Sequence, residues 1–275
     1  MAPLIHDAAV PDALPRPAVR SQERNGVFYT AATWTPAALG GLAERLTHGA
    51  ATLAELPTGR LREAWSRALS TFLDPASRAR RALETSLPRL SGLSPAGTDA
   101  ALRTVVGGAV GGAADAVFET ARERRGGGLV TIVLASNLPA LAVQPLLPAL
   151  ALGRPALVKS AGAEPLFAPA LVRALVEEEP RLADALAAVT WTGGDRALEE
   201  PVLARSETLI AYGDEAALDD LGRRFAGRLV GYGPRISVAA LGADAPRPGR
   251  RRAGARRRPL RSAWLPVAAR GLHRR

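Results

Sequence analysis

The sequence predicts an α/β protein in which a helical region precedes a Rossmann-like parallel sheet and a basic tail. Between residues 35 and 125 the apolar residues recur at helical spacing. From residue 129 onward, short apolar runs alternate with helical segments, a pattern typical of right-handed crossovers and a sheet covered on both faces. The predicted parts are an irregular segment (1–34), a helical region (35–128), a Rossmann-like domain (129–245) and an arginine-rich tail (246–275).

The first two parts differ in their local signals. Residues 1–33 are rich in proline and show no period, so we expect irregular structure there. Thr35-Pro36 and Ser94-Pro95 each combine a capping residue with proline at the first helical position, and each predicts a helix start. The glycine pairs at 107–108 and 111–112 cost a helix about 1 kcal/mol per residue relative to alanine. They predict either close packing or a break in the helix.

The glycine run at 126–128 separates the helical region from alternating strands and helices. The helical segments between strands are long enough for crossovers that return each strand parallel to the one before. The predicted strands are 129–134, 155–159, 188–192, 208–211 and 228–230, with one more candidate at 236–241, and the predicted helices are 139–152, 167–178, 195–204 and 215–225.

The net charge of +10 is concentrated in the tail. Residues 246–275 hold eleven of the 36 basic residues and none of the 26 acidic ones, so the first 245 residues carry 25 basic and 26 acidic groups. The body of the protein is therefore not a basic nucleic-acid-binding surface. The tail is predicted to be disordered. Its arginines leave a minor alternative, a nucleic-acid-binding arm with steep salt dependence.

The composition excludes several kinds of site. The chain has no cysteine, so it can form no disulfide, thiolate metal site or cysteine nucleophile. Its three histidines lie far apart without metal-ligand spacing, and we predict no metal site. The N-terminus lacks the apolar core of a signal peptide, and prolines interrupt the apolar stretch 129–152. We therefore expect no membrane span and a cytoplasmic protein.

The candidate site residues follow three predicted strands. Lys159, the only lysine, stands at the carboxyl end of one strand, where open α/β sheets bind their ligands. Gly193-Gly194 joins another strand to a helix, whose N-terminal N–H groups and dipole suit a phosphate. Asp195 would cap that helix and repel a phosphate. The three polar strand ends are Ser136-Asn137, Lys159-Ser160 with Glu164, and Gly193-Gly194.

Together these segments resemble the cofactor-binding half of the aldehyde dehydrogenase superfamily. The resemblance is closer to one branch, the fatty acyl-CoA reductases of bacterial bioluminescence, and it is best over residues 129–241. The residues that carry it are Ser136-Asn137-Leu138-Pro139, Leu157-Val158-Lys159-Ser160, Glu164-Pro165, Trp191-Thr192-Gly193-Gly194-Asp195, Ala211-Tyr212-Gly213-Asp214 and Gly231-Tyr232-Gly233-Pro234-Arg235-Ile236-Ser237.

The resemblance implies an enzyme that reduces acyl-CoA or another acyl thioester to an aldehyde with NADPH, with NAD as the alternative cofactor. It implies that Ser136 belongs to the cofactor-binding residues and that the amide of Asn137 helps to hold the oxyanion of the thioester adduct. It further implies that Lys159 touches the adenosine ribose or its 2′-phosphate, that Ser160 and Glu164 flank this ribose, and that Gly193 and Gly194 lie under the pyrophosphate. The implied partners are an acyl-transferase, a synthetase and further copies of the chain.

The chain departs from this family in one essential residue. The family uses a cysteine thiolate downstream of the stretch that ends near Leu241, and this chain has none. Charge, periodicity and resemblance all change near residue 245, and our hypothesis is that residues 246–275 are translated out of frame. We therefore expect a reductase that is truncated before its nucleophile and inactive by itself. The alternative is a non-catalytic NADP(H)-binding module.

Overall fold

The N-terminal part contains a β-hairpin where we predicted an irregular segment. β1 (Ala18–Arg24) pairs antiparallel with β2 (Val27–Thr33). Asn25 and Gly26 form the turn with φ angles of 51° and 73°, the positive values that a type I′ turn requires. The prediction was wrong because Asn-Gly is a strong hairpin signal that outweighs the neighbouring prolines. The computed structural model describes residues 6–124, 126–135 and 138–234.

Six α-helices follow in the described residues, and two of them begin at the predicted caps. Thr35 Oγ1 accepts a hydrogen bond from the N–H of Ala38, and Ser94 Oγ accepts one from the N–H of Gly97. Each cap satisfies a backbone donor that the first helical turn leaves unpaired. The helices are α1 (Pro36–Glu55), α2 (Thr58–Leu73), α3 (Arg78–Glu84), α4 (Ser86–Ser91), α5 (Pro95–Val105) and α6 (Gly112–Ala121).

The glycine pairs break the helical pattern. α5 ends at Val105, a 3₁₀ turn covers Gly107–Ala109, and α6 begins at Gly112. Gly111 has a φ of 62°, a left-handed conformation that glycine adopts without steric cost. Of the two predictions for this stretch, the structure shows the break.

A parallel sheet, with five strands in the described residues, forms the second half. The strand order is β5-β4-β3-β6-β7, and every neighbouring pair is parallel. The first strand of this half thus lies at the centre, as expected for a doubly wound sheet. The predicted Rossmann-like fold class is confirmed. The strands are β3 (Leu129–Val133), β4 (Ala156–Lys159), β5 (Leu186–Val189), β6 (Ser206–Tyr212) and β7 (Arg228–Tyr232).

Four helices connect these strands, and the predicted bounds of strands and helices hold to within two residues, with two exceptions. The first helix starts later than predicted because Ala140 has a φ of 64°, which a right-handed helix cannot accommodate. β5 ends at Val189, before the predicted end at residue 192, because its partner strand β4 ends at Lys159. The helices are α7 (Val143–Ala151), α8 (Phe167–Glu178), α9 (Arg196–Leu203) and α10 (Glu215–Arg224).

The helices of the first half cover both faces of the sheet. Leu42 of α1 belongs to the same apolar cluster as Leu157 on one face of β4. On the other face, α2 packs against α8, and the rings of Phe72 and Phe167 lie 5.0 Å apart between centroids. Residues up to Pro234 form one compact unit. The helical region and the sheet therefore share their hydrophobic core.

Two predictions concern residues that the structure does not describe. The candidate strand at 236–241 and the arginine-rich tail at 246–275 both lie outside the described residues. Within the described residues, no single helix has the length and apolar composition to cross a membrane. A bent pair, Pro95–Ala109 with Gly112–Ala121, meets these criteria only when its two parts are taken together.

Candidate functional site

The strand order places a topological switch point between β3 and β6. From β3 the chain proceeds through β4 to β5 on one side, whereas β6 and β7 lie on the other side. In open parallel sheets, ligands bind outside the carboxyl ends of the strands at such a point. Lys159 is the last residue of β4, which pairs with β3, and Tyr212 is the last residue of β6. Of the described residues, Lys159 and Tyr212 therefore lie along the edge of the sheet that binds ligands in this fold class.

Lys159 is a buried cation at this edge. Its residue is 6% exposed, and no acidic side chain in the described part of the chain lies within ion-pair distance of its Nζ. Burial lowers the pKa of the ammonium group, and the negative charge of Glu199 acts in the opposite direction. A Cβ at the exposed Gly193 would lie 3.8 Å from Nζ. A side chain at this position would therefore contact the ammonium, which glycine leaves free of such a contact.

The turn at Gly193 and Gly194 leads into α9, and acidic side chains accept the hydrogen bonds of its amides. Gly194 has a φ of 79° and donates its N–H to Glu199 Oε1 at 3.1 Å. Asp195 Oδ1 accepts a hydrogen bond from the N–H of Leu198 at 3.3 Å, which is the predicted capping role. Two carboxylates thus occupy the donors that would otherwise face a phosphate.

Glu199 also belongs to an ion-pair cluster that the sequence analysis missed. Arg224 Nη2 donates to Glu199 Oε2 at 2.5 Å, and Arg224 Nε donates to Asp220 Oδ2 at 2.9 Å. Arg196 Nη2 donates to the other oxygen of Asp220 at 2.7 Å. Of these contacts, only the one between Asp220 and Arg224, which are four residues apart on α10, could have been predicted from the sequence. The contact between Glu199 and Arg224 depends on how α9 and α10 pack across β6.

Glu164 is a buried carboxylate near the end of β3. Its Oε1 accepts hydrogen bonds from the N–H groups of Leu166 and Phe167, both at 2.9 Å. Burial raises the pKa of Glu164 to about 7, although these backbone hydrogen bonds oppose the shift. Together with Leu134 and Ala135, which follow β3, Glu164 lines a small cleft. This carboxyl group can therefore change its charge close to neutral pH.

The remaining predicted site residues differ in their surroundings. Ser160 is fully buried, and its Oγ has no hydrogen-bond partner among the described residues. Ser136 and Asn137 lie outside the described residues. The structure brings Lys159 next to Gly193, whereas Glu164 lines the cleft on the β3 side. In the described ranges, no group of three or more acidic or histidine side chains could hold a metal ion.

An aromatic pair lies on the other side of the switch point. Tyr212 at the end of β6 and Tyr232 at the end of β7 stack with ring centroids 4.7 Å apart and an interplanar angle of 10°. Burial raises the pKa of Tyr212, and the neighbouring Tyr232 adds to the shift. Tyr212 therefore remains neutral at physiological pH. The two aromatic side chains extend the ligand-binding edge of the sheet beyond β3, to the carboxyl ends of β6 and β7.

Solved structures show which class of protein has this fold. The chain is similar to a salicylaldehyde dehydrogenase from Pseudomonas putida G7 solved with salicylaldehyde (TM-score 0.64, 12% identity, 81% of this chain and 50% of that one). It is also similar to an aldehyde dehydrogenase from Brucella melitensis biovar abortus 2308 (TM-score 0.68, 16% identity, 82% of this chain and 50% of that one). For an indole-3-acetaldehyde dehydrogenase in complex with NAD+, the TM-score is 0.59 and the identity 15%, over 82% of this chain and 50% of that one. The fold is thus that of aldehyde dehydrogenases, and the chain spans about half the length of these proteins.

The sequence identifies the family within this class. The profile of the acyl-CoA reductase (LuxC) family matches residues 115–257, which is more than half of the chain. The chain therefore belongs to the acyl-CoA reductase (LuxC) family, and the predicted resemblance is confirmed. A search among curated proteins gave no match.

Proposed function

We propose that this chain is the cofactor-binding part of an NADPH-dependent acyl-CoA reductase, which converts acyl-CoA or another acyl thioester into an aldehyde. Family membership supports the reaction class. The observation that carries the cofactor assignment is the buried Lys159, which has no acidic partner within ion-pair distance in the described residues and lies beside the bare backbone of Gly193. A buried ammonium without a counter-ion is costly unless a ligand supplies negative charge.

The residues around Lys159 fit a dinucleotide. The ammonium would bind the adenosine ribose or its 2′-phosphate. The resemblance implies that Gly193 and Gly194 lie under the pyrophosphate, and a phosphate bound there through the Gly194 N–H would have to displace Glu199 Oε1 from it. The Glu164 carboxyl, partly protonated near neutral pH, can donate to or accept from a ribose hydroxyl. The bound nicotinamide would supply the hydride, and Ser136, Asn137 and Ser160 complete the proposed site by resemblance alone.

Replacing Lys159 tests the cofactor assignment. Lys159→Met keeps the length of the side chain but removes its charge, and we expect at least about tenfold weaker NADPH binding because hydrogen bonds to charged groups contribute roughly 1.5–3 kcal/mol. Isothermal titration calorimetry of the whole chain measures this. The matched control is Arg223→Gln, which removes a charge from an exposed position on α10 and should leave the affinity unchanged. Equal affinities of wild type and Lys159→Met would contradict the proposal.

We further propose that the chain does not turn over acyl-CoA by itself. No side chain in the sequence can form the thioester intermediate, because the chain has no cysteine. The purified chain should show no acyl-CoA-dependent oxidation of NADPH in an assay that follows the absorbance of NADPH. Measurable turnover that depends on Asn137 would contradict the proposal of an inactive, truncated reductase.

The absence of cysteine also favours a second candidate, a non-catalytic NADP(H)-binding module. This candidate shares the Lys159 site but requires no second half. A folded wild-type chain that binds neither NADPH nor NADH would exclude it. An acyl-transferase, a synthetase and further copies of the chain remain proposed partners by resemblance, and the cytoplasmic location stays a prediction.

A further inference from the structure

Both carboxylate oxygens of Glu199 are occupied by groups of the protein. Oε1 accepts the N–H of Gly194 at 3.1 Å, and Oε2 accepts Arg224 Nη2 at 2.5 Å. The side chain of Glu199 is only 12% exposed. The carboxylate is therefore fixed beside the turn that borders Lys159, and it is not free to rotate towards a ligand.

Arg224 is held as firmly as its partner. Its side chain is 13% exposed, its Nε donates to Asp220 at 2.9 Å, and its Nη1 is buried with no hydrogen-bond partner among the described residues. Buried charges need a compensating partner. Arg224 therefore balances Glu199, and the net negative field of Glu199 at neighbouring groups is smaller than that of an isolated carboxylate.

The part of the negative charge of Glu199 that Arg224 does not balance acts on Lys159. The two side chains are not in ion-pair contact, yet the Glu199 carboxylate contributes to the electrostatic environment of the buried ammonium. Charges that are several ångströms apart in a poorly hydrated region interact with energies that change binding constants severalfold. A 2′-phosphate placed at Lys159 would experience both the attraction of the ammonium and the repulsion of Glu199. A ribose hydroxyl at the same place would be almost indifferent to Glu199.

We propose that the Glu199–Arg224 ion pair determines whether the Lys159 site prefers a dinucleotide with a 2′-phosphate or one with a free 2′-hydroxyl. This inference rests on the proposed function, because it requires a nicotinamide dinucleotide at Lys159. Glu199 is a positioning residue here: it orients the Gly193–Gly194 turn and adjusts the potential at the ammonium without touching the ligand. Arg224 limits the repulsion that Glu199 exerts.

The proposal predicts opposite effects for the two halves of the ion pair. Glu199→Gln keeps an oxygen for the Gly194 N–H but removes the negative charge, so NADPH should gain relative to NADH. Arg224→Gln removes the counter-charge, so that Glu199 acts more strongly on Lys159 and NADPH should lose relative to NADH. General disruption of α9 and α10 would weaken both dinucleotides and would shift the two variants in the same direction.

The experiment measures dissociation constants of NADPH and NADH by isothermal titration calorimetry with the whole chain. We expect the NADH-to-NADPH ratio of dissociation constants to rise about fivefold in Glu199→Gln and to fall by a similar factor in Arg224→Gln. Glu200→Gln is the matched control, because Glu200 is exposed on the same helix and should leave the ratio unchanged. Competition by adenosine 2′,5′-bisphosphate and adenosine 5′-monophosphate gives the same comparison without the nicotinamide.

The outcomes separate the two proposals. If the folded wild type binds neither dinucleotide, the proposed function fails and the inference fails with it. If the wild type binds but the ratio stays constant in Glu199→Gln, or moves in the same direction in both variants, only the inference is overturned. Arg224→Gln could unfold, in which case the ratio in Glu199→Gln against that in Glu200→Gln decides the question.

Discussion

The two ends of helix α8 each bury a carboxylate, and the two carboxylates have opposite electrostatic environments. Glu179, which follows the last turn of α8, is 2% exposed. It accepts Arg181 Nε at 2.9 Å and Arg181 Nη2 at 3.0 Å, and Arg60 Nη2 adds a third contact at 3.3 Å. These hydrogen bonds lower the pKa of Glu179 to about 2. Glu164, before the first turn, accepts hydrogen bonds only from backbone N–H groups among the described residues, and its pKa is raised to about 7.

The difference separates a structural carboxylate from a candidate ligand-binding one. Glu179 and Arg60 connect α2 to the end of α8, so their pairing joins the helical region to the sheet. Glu164 lines the cleft at the ligand-binding edge without a cationic partner among the described residues. Perturbed carboxyl groups without a structural counter-ion are typical of functional sites. Both residues are shielded from solvent, but Glu164 lies deeper in the protein, so its pKa shift is dominated by burial, whereas that of Glu179 is dominated by its hydrogen bonds to Arg181.

The largest effect is expected at Glu179. Glu179→Gln removes the charge that Arg60 and Arg181 share, and we expect the free energy of unfolding at pH 7 to fall by about 2 kcal/mol, allowing for the solvent exposure of both arginines. Because the folded pKa lies below the unfolded value, the contribution of Glu179 is present above about pH 4.5 and lost as the pH falls towards 2. Urea denaturation at pH 7 and at pH 3 measures both effects.

The control for this prediction is Glu84→Gln, which removes a carboxylate from an exposed position on α3 and should change the stability by less than about 0.5 kcal/mol. If Glu179→Gln is as stable as this control at pH 7, the arginines do not stabilise the end of α8. The comparison between the two ends of the helix would then lose its physical basis.

The sequence predicted the elements whose signals are local. Thr35-Pro36 predicted the start of α1, and the alternation of apolar runs predicted the parallel strands, because capping and crossover rules act over a few residues. The hairpin at Asn25-Gly26 was equally local, and the proline content of its surroundings obscured it. The end of β5 could not be predicted locally, because the strand-forming residues Thr190-Trp191-Thr192 continue the run past Val189, whereas the partner strand stops at Lys159.

The candidate site was predictable only in part. Lys159 and Glu164 could be placed at one sheet edge because the carboxyl ends of parallel strands meet there. Their ionisation could not be predicted, since it depends on groups that are distant in sequence. Glu199 and Arg224 are 25 residues apart and Arg60 and Glu179 are 119 apart, and only packing of the helices brings each pair together.

The pH dependence of stability tests the other end of α8. The folded pKa of Glu164 lies above its unfolded value, so its stabilising contribution is complete below about pH 4.5 and disappears as the pH rises through about 7. We expect wild type to lose on the order of 2 kcal/mol between pH 5 and pH 8 through this group. Glu164→Gln keeps a hydrogen-bond acceptor for the N–H groups of Leu166 and Phe167, so it should lose this dependence and be more stable than wild type at pH 8.

Asp7 provides the internal standard for this smaller effect. Burial raises its pKa to about 6, and its Oδ1 accepts the N–H of Ala32 at 2.8 Å, so it adds a pH dependence of the same sign centred at a lower pH. Below about pH 6 both groups contribute to the slope, whereas between about pH 6 and pH 7 only Glu164 does. Asp7→Asn should therefore reduce the slope only below about pH 6, whereas Glu164→Gln should reduce it up to about pH 7. Urea denaturation at half-unit steps from pH 5 to pH 8 distinguishes the two. An unchanged slope near pH 7 in Glu164→Gln would mean that Glu164 is ionised throughout, and hence that a cation reaches the cleft and makes the two ends of α8 alike.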